Sequence, residues 1–253
     1  LPKMRPLLEK WLETLEQEGT WRSFSVSSVA EHLEPPVLHL KADQQEEIAS
    51  VVDALPPHHL QPGRGKGLQM HFGKLGDMEK ARRLLSEAGI RCRSGKTLVP
   101  FRLTGDLAWG LEVPALEGME DRTFWVWPES LWAPLSFSAV HLGEGGDWKE
   151  WWCNPQARAY QFIGEDNVFF YGPAQTAMFL GLQRDTPQLD PPEGELQLPQ
   201  VIANKHLLFL DRKASSSGQL RPPSADELLA HYTAEQLRAY FFAQALGQRS
   251  VSF

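Results

Sequence analysis

The sequence predicts an α/β chain with a nucleotide-binding core in its second half and a small α+β module inserted before it. Two observations lead to this prediction. Short apolar runs alternate with helix-type patterns both between residues 36 and 101 and between residues 160 and 247. In the second half, glycine- and serine-containing loops follow the apolar runs, as they do in Rossmann-like, doubly wound sheets.

The first 35 residues are predicted to form a helical segment. Apolar residues recur at helical spacing from Met4 to Leu15, and Gly19 is a suitable helix stop. Pro35-Pro36 then interrupts any regular structure. We therefore expect residues 1–35 to be a connective helical segment that is separate from the residues after it.

Residues 36–101 are predicted to be the inserted module. Strands are expected at residues 37–40 and 68–72. Helices are expected after Asp43, through a capping box with Glu46, and after Asp77, with a stop at Gly89. Residues 90–93 and 97–101 indicate a hairpin. His58-His59 is interpreted as part of a solvated loop, and residues 63–67 as a basic loop without the spacing of a phosphate loop.

The second half alternates again, after a segment dense in tryptophan over residues 102–156 whose rings we assign mainly to packing. A strand at residues 160–163 leads through Gly164 into a helix that ends near Gly181. Another strand run covers residues 199–210. Two helices follow, with capping boxes that begin at Ser224 and Thr233.

Composition excludes several classes of protein. The chain has 253 residues and a formal net charge of −7, so it is not a protein that holds nucleic acid over its whole surface. Its two cysteines are too few for a disulfide scaffold and too isolated for a zinc knuckle, which suits a reducing cytoplasm. We expect no membrane segment, because the apolar runs are short.

Two loops are candidate ligand sites. Gly164-Glu165-Asp166 stands where a strand passes into a helix, so its carboxylates are placed to accept from ribose hydroxyls, unless it is a plain turn. Residues 213–218 (K-A-S-S-S-G) offer one lysine and three hydroxyls to a triphosphate, or serve as a flexible linker.

Taken in order, several segments resemble methionyl-tRNA synthetase, a class I aminoacyl-tRNA synthetase. Residues 102–110 (R-L-T-G-D-L-A-W-G) are similar to the family's R-x-T-R-D-L-x-W-G. Residues 162–168 (F-I-G-E-D-N-V) are similar to F-I-G-K-D-I-V. Residues 133–137 (A-P-L-S-F), residues 213–217 (K-A-S-S-S) and residues 237–241 (L-R-A-Y-F) resemble the A-P-I-G-Y, KMSKS and L-R-Y-Y elements.

The resemblance implies roles for particular residues. Lys213, Ser215 and Ser217 would form the catalytic loop around the ATP phosphates, and Gly164 and Asp166 would hold the ribose. The implied amino-acid pocket consists of Trp127, Ala133, Pro134, Phe137, Asn167 and Tyr171. ATP with Mg²⁺ is the implied co-substrate.

The sequence also departs from the family pattern. It contains neither the HIGH signature nor the zinc-binding cysteine pairs, so no zinc site is expected here. Ser216 replaces the second lysine of KMSKS. Tyr171 stands in place of the pocket histidine, and Asn167 in place of a branched apolar residue at the methionine thioether. A more polar pocket favours a more polar amino acid, or none.

We therefore expect a cytoplasmic ligase core of protein biosynthesis, which activates an amino acid with ATP and transfers it to tRNA. The HIGH half and the main tRNA contacts would lie outside this chain, and the segment alone would be inactive. The alternative is a non-catalytic synthetase-like module that binds a nucleotide, an amino acid or a protein partner. A tRNA-binding accessory domain is disfavoured by the acidic charge.

Overall fold

The computed structural model describes residues 1–63, 67–116, 118–184, 186–213 and 221–252. The chain divides into two compact units. The first consists of Leu1–Thr14 and Ser27–Gly146, and the second of Leu15–Val26 and Asp147–Phe253. The predicted domain boundary at residue 101 therefore does not coincide with a boundary between the compact units.

Two helices begin the chain. Helix α1 spans Arg5–Glu18, and Gly19 follows it with a φ of 61°, a left-handed conformation that suits glycine, as predicted. Helix α2 spans Ser23–Leu33 and was not predicted. Its serines have only moderate helix propensity, so burial of Val29 and Leu33 stabilises it instead.

A four-stranded antiparallel sheet with two helices follows in the first unit. Its elements are β1 (Val37–Lys41), α3 (Gln45–Val51), β2 (His58–Pro62), β3 (Gly67–Phe72), α4 (Leu75–Glu87) and β4 (Arg93–Ser94). The strand order is β2-β3-β1-β4, with every neighbouring pair antiparallel. The arrangement is that of the βαββαβ, or split βαβ, motif.

One face of this sheet carries the core of the module. Leu38, Leu40, Met70 and Phe72 alternate along β1 and β3 and are buried together with Leu85 and other residues of α3 and α4. Because side chains alternate across a strand, the residues between them lie on the opposite face. Those residues are polar.

Three local predictions in this region were wrong. The N-cap of α3 is Gln44, which makes no capping bond, because a 3₁₀ turn over Ala42–Gln44 places Asp43 outside the helix. Residues 90–101 form no hairpin, since Arg93 and Ser94 pair with the free edge of β1. The His58-His59 pair begins strand β2 rather than lying in a loop. Residues 64–66 of the predicted basic loop lie outside the described residues.

The rest of the first unit contains a small two-stranded sheet and a long helix. β5 (Thr104–Gly105) pairs with β6 (Thr123–Phe124), and helix α5 spans Val126–Leu142. The tryptophans of the sequence do not share one environment. Trp125 lies beside Phe101 and under the Arg102 guanidinium, whereas Trp109 is 89% exposed.

The second unit is α/β with a parallel pair of strands. β7 (Tyr160–Gly164) and β8 (Gln200–Asn204) run in parallel, and helix α7 (Gln175–Leu182) lies between them in sequence. A second sheet consists of β9 (Leu207–Phe209), β10 (Arg212–Lys213) and β11 (Val251–Ser252). The short helix α6 (Lys149–Trp152) precedes β7. Both predicted capping boxes are present, at the starts of α8 (Ala225–Leu229) and α9 (Ala234–Ala243).

The predicted strand over residues 199–210 is two strands. β8 ends at Asn204 and β9 begins at Leu207, so Lys205 and His206 form a break between two different sheets. Among the described residues, no helix combines the length and apolar character needed to cross a membrane.

Replacing Met70 with alanine tests the core of the module. Met70 is fully buried against both helices, so Met70→Ala leaves a cavity and is expected to lower the free energy of unfolding by about 2–5 kcal/mol. Chemical denaturation followed by circular dichroism measures this change. Leu60 pairs with Met70 across the sheet and is 37% exposed, so Leu60→Ala is the matched control, with an expected loss of about 1 kcal/mol or less. Equal losses would contradict the assigned difference in burial between the two side chains.

Candidate functional site

The candidate site lies at the carboxyl ends of the parallel strands β7 and β8. The strands pair from Tyr160 with Gln200 to Gly164 with Asn204, so both end at the same edge of the sheet. Glu165, Asp166 and Asn167 then form a single 3₁₀ turn. Ligands of open α/β sheets bind outside this edge, because the loops that leave the strands meet there.

Gly164 is required for space rather than for backbone conformation. Its φ is −77°, which any residue adopts. A Cβ at this position would lie 2.7 Å from the Asp166 carboxylate oxygen Oδ1. Glycine therefore allows the Asp166 carboxylate to turn back against the end of the strand.

Lys213 and Asp166 form an ion pair although 47 residues separate them. The Lys213 ammonium donates a 2.7 Å hydrogen bond to Oδ2 of Asp166. This hydrogen bond, with the charge of the lysine, holds the pKa of the Asp166 carboxyl below its usual value. The two side chains are 61% and 46% exposed, so the pair contributes little stability and can exchange its partners for a ligand.

A tight hairpin places Lys213 at this edge. β9 and β10 pair antiparallel, with Phe209 opposite Arg212, so the turn consists of Leu210 and Asp211 alone. Both turn residues have positive φ, 48° and 60°, as a type I′ turn requires. The backbone N–H of Asp211 also donates to the Ser252 hydroxyl on β11, at 2.8 Å.

A second ion pair lies deeper at the same edge. The Lys205 ammonium donates a 2.6 Å hydrogen bond to Glu165, and these side chains are only 25% and 23% exposed. The His206 ring lies 3.7 Å from the other oxygen of Glu165. The Lys205 ammonium also lies 4.2 Å from the centre of the Phe24 ring, in cation–π geometry. These contacts fix the break between β8 and β9.

Arg22 binds the end of β8. Its guanidinium donates to the backbone carbonyl of Ala203 and, at 2.5 Å, to the side-chain oxygen of Asn204. Arg22 is distant in sequence, and its role had no sequence signal. The same holds for Lys205, whereas Glu165 belonged to the predicted Gly164-Glu165-Asp166 loop and only its ion pair with Lys205 was not predicted.

The residues predicted for an amino-acid pocket lie on three different elements. Trp127, Ala133, Pro134 and Phe137 lie on α5 of the first unit, with Phe137 71% exposed. In the second unit, Asn167 ends the 3₁₀ turn after β7, and half-buried Tyr171 lies in a π-helical turn over Phe170–Ala174.

The π-helical turn has a clear cause. Gly172 departs from helical conformation, with a ψ of −106°, and Pro173 after it has no N–H to donate. Local π turns of this kind often occur beside ligand sites, because they turn one side chain out of the regular helix.

Of the three residues predicted for the phosphate loop, only Lys213 is described. Ser215 and Ser217 lie outside the described residues. No group of three or more His, Cys, Asp and Glu side chains within the described part of the chain is arranged to hold a metal ion.

Comparison with known proteins shows the family of the chain. The family model for tRNA synthetases class I (M) matches residues 91–253, which includes β7, β8 and Lys213. The chain belongs to this class I tRNA synthetase family. The matched range does not include residues 1–90, so the family origin of residues 1–35 stays a prediction.

Curated relatives of this class I synthetase chain are methionine–tRNA ligases. That of Chloroflexus aggregans is 33% identical over 160 residues, which are 59% of this chain and 26% of the relative. That of Corynebacterium kroppenstedtii is 36% identical over 131 residues, 48% of this chain and 21% of the relative. That of Saccharolobus solfataricus is 34% identical over 130 residues, 50% of this chain and 21% of the relative. The chain thus spans about a quarter of the length of these relatives.

Removing the lysine tests the electrostatics of the site. In Lys213→Ala, the pKa of the Asp166 carboxyl is expected to rise toward the ordinary aspartate value of about 3.9. Because the pKa of Asp166 is lowered in the folded protein, the pair stabilises the fold above about pH 4, and this contribution is lost as the pH falls through the folded-state pKa. Carboxyl-carbon NMR titration measures the change.

Lys96 is the matched control, because it forms a similar exposed pair with Glu31 at 2.6 Å in the first unit. Lys96→Ala should leave the titration of Asp166 where it is. An unchanged Asp166 titration in Lys213→Ala would show that the two groups do not interact in solution.

Proposed function

We propose that this chain supplies the half of a methionine–tRNA ligase-type catalytic domain that binds the ribose and phosphates of ATP. The observation that carries the proposal is the Lys213–Asp166 pair at the carboxyl edge of β7 and β8, inside the stretch that the family model matches. A carboxylate and an ammonium at this edge are complementary to a ribose diol and a triphosphate.

In this proposal the two members of the pair separate when ATP binds. Asp166, beside Gly164, accepts hydrogen bonds from the ribose hydroxyls. Lys213 moves to the phosphates and stabilises the charge that develops on them during adenylate formation. Ser215 and Ser217 would extend the same loop. Mg²⁺ would arrive with the nucleotide, since this ion is commonly bound largely through substrate phosphates.

The amino acid would be held by Trp127, Ala133, Pro134 and Phe137 with Asn167 and Tyr171. Asn167 directly follows the ribose-binding Asp166, and Tyr171 lies at the π-helical turn. An amide and a phenol in these positions favour a side chain with a polar group over methionine. The acceptor would be tRNA, bound mainly by parts of the protein outside this chain, and the location would be the cytoplasm.

A second candidate function is a synthetase-like module that binds nucleotide without catalysis. Asn167 and Tyr171, which stand in place of an apolar residue and a histidine of the family pattern, favour it, as does Ser216 in place of the second lysine of KMSKS. Half of a phosphoryl-transfer site provides little rate, since such catalysis is mainly positioning and charge stabilisation.

Comparing ATP with adenosine tests the proposed roles separately. Lys213→Ala is expected to weaken ATP binding about tenfold or more without weakening adenosine binding, because the lysine contacts only phosphates of the bound nucleotide. Asp166→Asn is expected to weaken both ligands by a similar factor, since both carry the ribose. Equilibrium dialysis of each ligand against the 253-residue chain gives the dissociation constants.

The controls are Lys96→Ala and Glu31→Gln, which break the exposed pair in the first unit and should leave both affinities unchanged. Equal loss of ATP and adenosine binding in Lys213→Ala would contradict the assignment of this lysine to the phosphates. Unchanged ATP binding in Asp166→Asn would contradict the assignment of Asp166 to the ribose.

Pyrophosphate exchange distinguishes the two candidate functions. The longest natural chain that contains this segment should exchange pyrophosphate into ATP in the presence of one of the twenty amino acids. The 253-residue segment should bind ATP without such exchange. Nucleotide binding without exchange by the longest chain would favour the non-catalytic module.

A further inference from the structure

The four-stranded sheet of the first unit has a second face that neither of its helices covers. Helices α3 and α4 pack on the face that carries Leu38, Leu40, Met70 and Phe72. The strand register fixes which residues share the other face. The polar residues among them are His39, Lys41, His59, Gln61, Gln69, His71 and Arg93, and we call this set the open sheet face.

The residues of the open sheet face lie in register across all four strands. Gln61 on β2 is opposite Gln69 on β3, Gln69 is opposite His39 on β1, and His39 is opposite Arg93 on β4. In the neighbouring row, His59 is opposite His71. The face thus presents planar rings and planar amides side by side on β1, β2 and β3, and a planar guanidinium on β4.

Contacts between the side chains hold part of this face in place. The Gln61 amide donates to the His71 ring nitrogen Nε2 at 2.7 Å and lies 3.4 Å from the Gln69 carbonyl oxygen. Lys41, His59 and Arg93 are exposed, and the other four side chains are half-buried. Val37, at the start of β1, is buried, so the accessible part of the face begins at His39.

Charge distinguishes this face from the rest of the chain. The protein carries a net charge of −7, yet none of the four strands contains Asp or Glu. Lys41 and Arg93 stand on the two strands at one side of the face. The face is therefore complementary to an anion that is spread over several positions.

An exposed ring, that of His59, and a half-buried ring opposite a cation, that of His39 with Arg93, suit one polyanion best. Bases of single-stranded RNA stack on histidine rings and arginine planes, and glutamine amides bind base edges. Four-stranded sheets present such groups on their central strands when they bind RNA in this manner. Membership of a tRNA synthetase family directs the choice to RNA rather than DNA.

We infer that the open sheet face binds single-stranded RNA, with bases stacked on His39, His59 and Arg93 and phosphates held by Lys41 and Arg93. The site is distinct from the Lys213–Asp166 pair, which lies in the second unit. RNA binding here would be a function additional to amino-acid activation. The open sheet face would provide the local positive patch that an acidic chain needs to hold RNA.

Fluorescence anisotropy with a short labelled single-stranded RNA of mixed sequence tests this inference on the 253-residue chain. The double variant Lys41→Glu/Arg93→Glu is expected to weaken binding at least about tenfold. It should also lower the slope of log affinity against log salt by about 1.4, because two phosphate contacts are lost. His39→Ala/His59→Ala should weaken binding about tenfold without changing the salt slope, since stacking releases no counterions.

Lys80→Glu/Arg82→Glu is the matched control, because it makes the same charge change at exposed positions on α4, which packs on the other face. It should leave the affinity within about twofold of the unaltered chain. Equal weakening by the two charge-reversal pairs would overturn the inference, because binding would then follow net charge alone. Equal affinity for duplex RNA, or no binding of single-stranded RNA at low salt, would overturn it as well.

Discussion

Five residues of β7 run in parallel with five residues of β8, and the pairing ends with Gly164 opposite Asn204. Because the strands are parallel, the loops that follow them leave from one edge of the sheet, and that edge becomes the site. Arg22 holds the end of β8, and the Glu165–Lys205 ion pair fixes the two strand ends to each other. Without this pairing, Asp166 and Lys213 would not be brought together at one edge of the sheet.

The two ion pairs at this edge differ in burial, and the difference fits two tasks. Glu165 and Lys205 are about three-quarters buried, so removal of one partner would leave a poorly solvated charge. Asp166 and Lys213 are about half exposed, and water screens their attraction. The less exposed pair therefore maintains the strand ends, while the more exposed pair would separate at small cost in the proposed binding of a nucleotide.

Local patterns in the sequence predicted much of the fold, but contacts between residues distant in sequence could not be predicted. The capping boxes at Ser224 and Thr233 are confirmed because a cap depends on four adjacent residues. The hairpin over residues 90–101 was wrong because β4 pairs with β1, more than fifty residues earlier, and local propensity contains no information on such a partner. Gly164 and Asp166 could be predicted as site residues from one local motif. The contacts of Arg22 and Lys205 could not, because their partners are distant in sequence. The polar face of the sheet was not predicted, because His58-His59 was interpreted as a loop and strand β2 was therefore missed.

In the proposed function, Asp166 and Lys213 separate to hold the ribose and the phosphates of one nucleotide. A crystal structure of this chain with a non-hydrolysable ATP analogue tests this separation. We expect a ribose hydroxyl within hydrogen-bond distance of the Asp166 carboxylate, a phosphate oxygen beside the Lys213 ammonium, and no remaining contact between the two side chains. A nucleotide bound elsewhere, with the 2.7 Å contact between Lys213 and Asp166 intact, would contradict it.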